Sequence, residues 1–290
     1  HAMNLAASGM SARANLRHQG GGVAGVRRIK QIDEQIQNHQ ARLELAEQLG
    51  KLHQKLKTSL RHYNIITEKK DFSQLAQALQ PHIKAGALDS TFTLEKRVEQ
   101  VRAGWLGNLA VNYVAQAYPA VAPKHEDAAA LSVLGGFLRN GFLHTAIREK
   151  GGAYGGGAGY DPESGSFRFF SYRDPRLAET LADFEQAIDW VMTGNYGSRE
   201  VDEAIFGVIS KIDKPGSPAG EAKKAFFNHC HGRSQHDLQQ MRARVLDVTA
   251  DDLKTVTERY LKPEQASIGV LSGMDKREQL EELGLSIERI

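Results

Sequence analysis

Residues 143–171 read LHTAIREKGGAYGGGAGYDPESGSFRFFS, and this stretch holds the most distinctive structural pattern of the 290-residue chain. Two β-type runs, Ala153–Tyr160 and Ser166–Tyr172, flank a loop at 161–165 whose sequence, DPESG, is typical of a turn. The pattern therefore predicts a β-hairpin. Because a loop of this composition ordinarily lies at the surface, we expect it to be a solvent-exposed tip that tolerates a short insertion.

Upstream of the hairpin, the sequence predicts a strand and a helix. Residues 110–117 alternate in the manner of a half-buried strand. Apolar residues at helical spacing follow from Glu126 onward and predict a helix. Asn140 and Gly141 are expected to end this helix before a second, short helical turn through Ile147.

Downstream of the hairpin, four helices and a closing strand are predicted. Asp174 followed by Pro175 is expected to cap the first helix, and Thr249 with Asp252 forms a capping-box pattern at the last. Two further helices are predicted from apolar residues at helical spacing, over 201–212 and 238–245. Ser267–Leu271 predicts the strand. Because strands and helices mix without regular βαβ alternation, we predict an α+β fold, a largely antiparallel sheet with helices packed on one face.

The first third of the chain carries a different pattern. Apolar residues recur at helical spacing from Val26 to Leu60, which predicts a long amphipathic helix preceding the α+β fold. A parallel coiled coil is the alternative, although Gly50 interrupts its heptads. A short strand over 63–67 and a helix closed by Pro81 are predicted next.

These patterns divide the chain into two predicted parts. Residues 1–95 contain too few apolar core positions to form a domain by themselves. We therefore interpret them as the C-terminal end of a preceding α+β domain. Residues 96–290 form a complete α+β domain, and the polar stretch 85–96 connects the two parts.

Composition excludes several classes of function. The 37 Lys and Arg nearly balance the 35 Asp and Glu, and the formal net charge of +2 is spread along the sequence, so we expect no nucleic-acid partner. No apolar run reaches the roughly 18 residues that a membrane span requires. The chain has one cysteine and so forms no internal disulfide. We predict a soluble protein of a reducing compartment, with no membrane partner.

The glycine-rich segment 151–159 permits three interpretations. A phosphate-binding loop, and with it a nucleotide-binding protein, is one, but here the glycines follow a helix and enter a strand, and no Lys-Ser or Lys-Thr pair closes the run. Glycine within a strand otherwise indicates close backbone approach. The segment then either packs tightly under a helix or leaves space for a peptide against the sheet, and the residues alone favour neither.

The histidines do not form a zinc-binding pattern. Two imidazoles on one helix bind a metal together when they lie four residues apart, and no two of the eleven histidines have that spacing. The densest cluster consists of His229, Cys230, His231 and His236, where neighbours two apart on a helix point to nearly opposite sides. We interpret this cluster as a solvated loop or helix end and predict no metal site in this chain.

Residues 143–171 resemble the C-terminal half of the pitrilysin and insulinase type of zinc metallopeptidases, most closely the presequence-protease branch. The similarity extends along most of the chain, through GNLAVNYVAQAYP from Gly107, SYRDPRLAETLADFEQAIDWV from Ser171, IDKPGSP from Ile212 and VLDVTADDLKTVTERYL from Val245. The predicted long helix is similar to the end of that family's third domain. The resemblance implies the LuxS-like metallopeptidase fold, the "inactive" domain of these enzymes.

The resemblance also implies a function. The chain would be the non-catalytic C-terminal part of a zinc metalloendopeptidase that degrades short unstructured peptides, forming one wall of a closed chamber and contacting the substrate. The family's zinc is held by H-x-x-E-H, which this chain lacks, so the metal belongs to the missing N-terminal half and this chain alone is no enzyme. The alternative is a catalytically inactive relative that acts as a peptide-binding or scaffold subunit.

The expected partners are the N-terminal half of the same polypeptide and an unfolded peptide substrate. The expected compartment is the cytoplasm in a bacterium or an organelle matrix in a eukaryote.

Two residues carry the chemistry that the resemblance implies for this half. In the family, an arginine and a tyrosine six residues apart project toward the zinc, and the matching residues are Arg148 and Tyr154. Gly151, Gly152 and Gly155 would let both side chains reach the substrate. The residues alone favour a structural role, with Arg148 as a cation at a helix C-terminus and Tyr154 as an ordinary strand aromatic, and only the resemblance favours the functional role.

Overall fold

The structure is a computed structural model that describes residues 1–59, 61–83 and 99–290. The polar connection predicted over 85–96 lies outside these residues. The chain forms two compact units, one of His1–Arg28, Glu95–Lys214 and His236–Ile290, the other of Ile29–Leu94 and Pro215–Gln235. The division of the chain into domains near residue 95 stays a prediction.

The first unit contains one open sheet of six strands. The strands are β1 (Arg102–Gly107), β2 (Asn112–Pro119), β3 (Gly155–Asp161), β4 (Ser166–Asp174), β5 (Ser267–Gly273) and β6 (Ser286–Arg289). Their order across the sheet is β3-β4-β2-β5-β1-β6. The β3–β4, β4–β2 and β2–β5 pairs are antiparallel, whereas β1 runs parallel to β5 and β6. The predicted α+β class with a largely antiparallel sheet is confirmed.

Twelve α-helices lie in the described ranges. Five precede the sheet, namely α1 (Ala2–Ala6), α2 (Ala12–Gly21), α3 (Val23–Gln35), α4 (His39–Thr58) and α5 (Phe72–Leu79). The others are α6 (Ala128–Leu138), α7 (Ala178–Thr193), α8 (Ser198–Ile212), α9 (Pro218–Cys230), α10 (Gln235–Leu246), α11 (Ala250–Tyr260) and α12 (Arg277–Glu282). The predicted helices over 201–212, over 238–245 and after Thr249 are confirmed, and the Thr249 hydroxyl accepts from the Asp252 N–H as a capping box requires.

The main core lies on one face of the sheet. Phe167 and Phe169 of β4 are fully buried there, and the Phe169 ring lies 5.4 Å from that of Phe184 in α7. On the opposite face the short helix α1 packs against β2 and β5, where a Cβ at Gly269 would lie 2.6 Å from the Ala6 nitrogen. Helices thus cover one face broadly, and α1 adds a smaller apolar cluster on the other.

The helix predicted to end at Asn140–Gly141 does not end there. It continues beyond α6 as a π-helical segment, Arg139–Lys150. Gly141 is a packing residue, because a Cβ there would lie 2.3 Å from Cη2 of Trp190. The Trp190 ring takes the space that a side chain would occupy, so the glycine that looked like a helix breaker is needed for close contact.

The long amphipathic helix predicted from Val26 is two helices, α3 and α4. Asn38 separates them, and its side-chain oxygen accepts from the N–H groups of Gln40, at 2.8 Å, and Ala41, at 3.2 Å. This N-cap satisfies two of the free N–H donors of α4 and starts a new helix within a continuous apolar pattern. Leu60 lies outside the described residues.

Residues 63–67, predicted as a strand, have no regular secondary structure. The Tyr63 hydroxyl donates to the His82 carbonyl at 3.0 Å. The β-branched pattern alone does not form a strand, because strand pairing needs a partner of matching register.

Asp174 is not the N-cap of α7. That helix starts at Ala178, and the Asp174 carboxylate, fully buried, accepts from the Arg176 N–H at 2.9 Å and the Thr180 hydroxyl at 2.7 Å. The carboxylate stabilises the turn that enters the helix and not the helix end itself.

Candidate functional site

The β3–β4 hairpin forms one edge of the sheet. The prediction of a hairpin is confirmed, since Asp161 pairs with Ser166 and Gly155 with Tyr172. β3 is the outermost strand, so its outer backbone groups have no strand partner among the described residues. This edge follows directly from the π-helical segment, which brings Arg148 and Tyr154 to the same end of the hairpin.

Two buried residues hold Arg148 and Tyr154 in place. Ile147 and Ala153, the residues immediately before them, are 0% and 3% exposed. The Ala153 N–H donates to the Ile147 carbonyl at 3.1 Å, and the Tyr154 N–H donates to the Arg173 carbonyl at 3.3 Å. Because Ile147 and Ala153 are held in the core, the residues that follow them, Arg148 and Tyr154, lie at the surface.

Arg148 and Tyr154 are free to meet a ligand. Tyr154 is 69% exposed, and Arg148 is exposed and makes no ion pair with the described part of the chain. A guanidinium offers five N–H donors, and a phenol hydroxyl can donate one hydrogen bond. Whether they contact a substrate stays a prediction.

Gly151 and Gly152 have structural reasons to be glycine. A Cβ at Gly151 would lie 1.9 Å from Nη2 of Arg176, whose guanidinium bonds to Asp183. Gly152 has a φ of 77°, which side-chain-bearing residues adopt at a cost. Both glycines shape the turn that connects Arg148 to Tyr154.

The strand glycines divide into two classes. A Cβ at Gly156 would lie 2.8 Å from Ile147, and one at Gly135 of α6 would lie 2.7 Å from the Gly159 Cα, so helix and strand backbones pack closely. The interpretation of tight packing under a helix is correct for these positions. Gly155 differs, because nothing lies within 4 Å of a Cβ built there.

Three tyrosines form a row beside Gly155, which we call the tyrosine row. The ring of Tyr172 lies 5.7 Å from that of Tyr154 and 5.4 Å from that of Tyr113, both edge to face. Arg173 follows, with its guanidinium carbon 5.8 Å from the Tyr172 ring centre and 6.0 Å from that of Tyr154. Arg173 has a φ of 52°, an uncommon conformation for a non-glycine residue.

Sequence reasoning did not identify Tyr172 and Arg173 as members of this site. The observed hairpin register, in which Asp161 pairs with Ser166 and Gly155 with Tyr172, places Tyr172 beside Tyr154. The loop bounds predicted from composition, 161–165, would pair residue 160 with 166 and are one residue off this register. The predicted hairpin therefore locates the cross-strand neighbours of Tyr154 only to within one residue.

The hairpin loop at 161–165 is not the exposed tip that its composition predicts. Arg168, 9% exposed, donates to the Asp161 carboxylate and the Ser164 hydroxyl, and Arg13 of α2 pairs with Glu163. Burial alone would raise the pKa of Asp161, but the Arg168 charge and the hydrogen bonds to the carboxylate outweigh it and hold that pKa below its ordinary value. Ion pairs with Arg13 and Arg168 therefore hold the loop against the rest of the unit. They fix the C-terminal end of β3, which is remote from Tyr154.

The described residues contain no group of three or more His, Cys, Asp or Glu side chains arranged to hold a metal. In the cluster His229–His236, Nδ1 of His231 bonds with the Phe227 carbonyl and Nε2 of His236 with the Gln240 side chain. The donor set present in this part of the chain does not fit a zinc site. Separately, none of the helices in the described ranges combines the length and apolarity that crossing a membrane needs.

A protein-family model matches this chain. Residues 108–267, more than half of the chain, match the family described as the PreP C-terminal domain. Among curated proteins, the mitochondrial presequence protease of Yarrowia lipolytica is 39% identical over 172 residues, which cover 58% of this chain and 17% of that protein. That of Mus musculus is 39% identical over 151 residues, covering 52% and 14%. The chain thus spans about one sixth of the length of these relatives.

Solved structures show the same fold. A protease from Helicobacter pylori superposes with a TM-score of 0.57 at 19% identity, covering 71% of this chain and 53% of that one. A peptidase M16 inactive domain from Pseudomonas fluorescens gives 0.57 at 16% identity, covering 72% and 52%. At these identities the likeness concerns the fold alone.

Proposed function

This chain belongs to the PreP C-terminal domain family, and from that membership we propose that it is the non-catalytic C-terminal part of a zinc metalloendopeptidase that degrades short unstructured peptides. It forms one wall of the chamber in which the peptide is held, and it contacts the substrate through Arg148 and Tyr154. The curated relatives are presequence proteases of several times its length, which supports a larger parent protein.

The observation that carries the proposal is the placement of Arg148 and Tyr154. Both side chains project from a turn whose flanking residues, Ile147 and Ala153, are locked in the core and hydrogen-bonded to each other. Pre-positioned donors of this kind stabilise charge without reorganising during the reaction. An exposed tyrosine and an exposed arginine on a rigid turn therefore suit contact with a substrate better than support of the fold.

The two side chains would do different work. The Arg148 guanidinium can donate to peptide carbonyl oxygens and orient the chain across the wall. The Tyr154 hydroxyl can donate to the carbonyl oxygen of the scissile bond, where negative charge develops as the tetrahedral intermediate forms. Gly151, Gly152 and Gly155 keep side chains away from the path between them.

The remaining parts of the enzyme would come from elsewhere in the same polypeptide. The partner is the N-terminal half, which would hold the zinc, since the residues described here do not fit that metal. In a eukaryote the compartment would be the organelle matrix, as the names of the mitochondrial relatives suggest, and in a bacterium the cytoplasm.

The test is a double-mutant cycle in the full-length protein. Tyr154→Phe keeps the ring and removes one donor, so we expect turnover of an unstructured peptide to fall about 100-fold to 1000-fold. Arg148→Ala should cause a comparable loss. Because both residues serve one bound peptide, the double variant should lose less than the product of the single losses.

Two outcomes would overturn the proposal. Unaltered turnover and binding in both single variants would make the residues structural. A full-length protein that binds unstructured peptides and cleaves none would favour the alternative, an inactive relative that acts as a peptide-binding or scaffold subunit.

A further inference from the structure

We propose that Tyr172 and Gly155 form a subsite that selects an aromatic or large aliphatic side chain of the bound peptide. This inference rests on the proposed function, because it takes the peptide at Arg148 and Tyr154 as its occupant. It adds a specificity-determining residue, Tyr172, to the site.

The first support is the space above Gly155. Gly155 and Tyr172 are directly paired across β3 and β4, so their side-chain directions point to the same face of the sheet. A Cβ at Gly155 would meet no atom within 4 Å, and Tyr172 keeps 43% of its surface exposed. The space for a peptide side chain is bounded below by the backbone of Gly155 and on one side by the Tyr172 ring.

The second support is the chemistry of the wall. The rings of the tyrosine row meet edge to face, and Arg173 lies beside two of them without an ion pair to any described residue. Exposed aromatic rings in contact with each other offer an apolar surface with preferred edge-to-face geometry. Among peptide side chains, an aromatic or a large aliphatic one buries the most apolar area against such a surface and so gains the most binding free energy.

The third support identifies the occupant as an extended peptide. β3 is an edge strand, and its outer backbone groups are available to a chain that runs alongside it. Arg148 and Arg173 are both exposed, and their guanidinium groups can donate to peptide carbonyl or carboxylate oxygens. Gly155 is the first residue of β3 and directly follows Tyr154, so a chain passing Tyr154 would place one of its side chains over Gly155.

The alternating structure of β3 supplies a matched control. Gly159 lies on the same face as Gly155, its Cβ direction is equally open, and neither residue has a positive φ. Gly159 pairs with Arg168 and not with a tyrosine. A valine at either position should fit the strand, but only Gly155→Val fills the space beside Tyr172.

The experiment measures kcat/KM of the full-length protein on a set of unstructured peptides that are identical except for one Phe replacing Ala at successive positions. We expect one position where Phe raises kcat/KM about tenfold. Tyr172→Ala and Gly155→Val should abolish that preference, so that kcat/KM no longer differs between the Phe and Ala peptides, whereas Gly159→Val should keep it. Urea unfolding of each variant checks that the fold is intact.

The outcomes separate this inference from the proposed function. If Tyr154→Phe reduces turnover on all peptides while Tyr172→Ala and Gly155→Val retain the Phe preference, the proposed function stands and the subsite is wrong. If Tyr172→Ala lowers kcat/KM equally for every peptide, the tyrosine row packs against another part of the protein, and the inference is also wrong. If Tyr154→Phe and Arg148→Ala leave turnover unchanged, the proposed function itself fails.

Discussion

The Ala153 N–H donates to the Ile147 carbonyl at 3.1 Å, and this single bond sets the geometry of the candidate site. Both residues are buried, so the bond closes the turn through Gly151 and Gly152 from inside the core. Arg148 directly follows Ile147 and Tyr154 directly follows Ala153, so both exposed residues start from buried neighbours. The site is stabilised by core packing, whereas the exposed side chains it presents contribute little to stability.

The first prediction concerns the stability of the site variants. Tyr154→Phe and Arg148→Ala should each change the free energy of unfolding of this chain by less than about 0.5 kcal/mol, because both side chains are exposed. Urea unfolding at neutral pH measures this. A loss of about 2 kcal/mol or more in either variant would show that the side chain supports the fold.

The second prediction separates the three site glycines. Gly152→Ala should cost about 1–2 kcal/mol, because its φ is 77°. Gly151→Ala should cost about 1–3 kcal/mol, because the new methyl group would displace the Arg176 guanidinium. Gly155→Ala should be neutral or stabilise by about 0.5 kcal/mol, since its Cβ position is open and alanine restricts the unfolded chain. Urea midpoints of the three variants give the ranking, and equal losses in all three would contradict it.

The third prediction concerns the contact between α6 and β3. Gly135→Ala should destabilise by about 1–3 kcal/mol, because its Cβ would lie 2.7 Å from the Gly159 Cα, a backbone atom that cannot rotate away. Gly136→Ala is the matched control in the same helix, since the nearest atom to its Cβ is the Ala204 oxygen at 4.0 Å. It should stabilise by about 0.5–1 kcal/mol through helix propensity. Thermal melts of the pair test this contact, and similar melting temperatures would mean that α6 does not press on the strand.

The fourth prediction concerns the hairpin loop and pH. Asp161→Asn leaves Arg168 without its carboxylate in a largely buried position, so we expect a loss of about 2–3 kcal/mol at pH 7. The folded pKa of Asp161 lies below its unfolded value of about 3.9. The stabilisation by ionised Asp161 is therefore fully present above the unfolded pKa, and it is lost as the pH falls through the lower pKa of the folded state.

Urea unfolding of wild type and Asp161→Asn across acid pH tests that sign. The difference between them should be constant near neutrality and shrink only below about pH 4. A difference that grows on acidification would contradict the assignment. For the same structural reason, we expect an insertion at 161–165 to destabilise the unit, contrary to the composition of the loop.

The fifth prediction concerns metal. Since no two histidines lie four residues apart, the purified chain should contain no stoichiometric zinc after dialysis and should cleave no unstructured peptide. Elemental analysis and a peptide-cleavage assay check both parts. About one zinc per chain would show a site that neither the spacing nor the described residues indicate.

Local signals predicted several of the helices and strands and the resemblance to a family. The alternation and turn residues around 161–165 predicted the hairpin, and the Thr249–Asp252 pattern predicted a helix start, because both depend on neighbours within a few residues. The motif from Leu143 to Ser171 was sufficient to indicate the metallopeptidase resemblance.

Tertiary packing decided which side chains and backbone atoms contact these helices and strands. Gly141 is a residue that ordinarily favours a helix end, yet the helix continues through it, and the Trp190 ring occupies the space of its absent side chain. The loop at 161–165 is polar and still pinned, because Arg168 brings a buried charge to Asp161 from the adjacent strand. Gly155 is open and Gly156 is packed, although they are adjacent and identical in type. No local pattern carries that difference, because the space around a residue is set by side chains that are distant in sequence and arrive only when the chain folds.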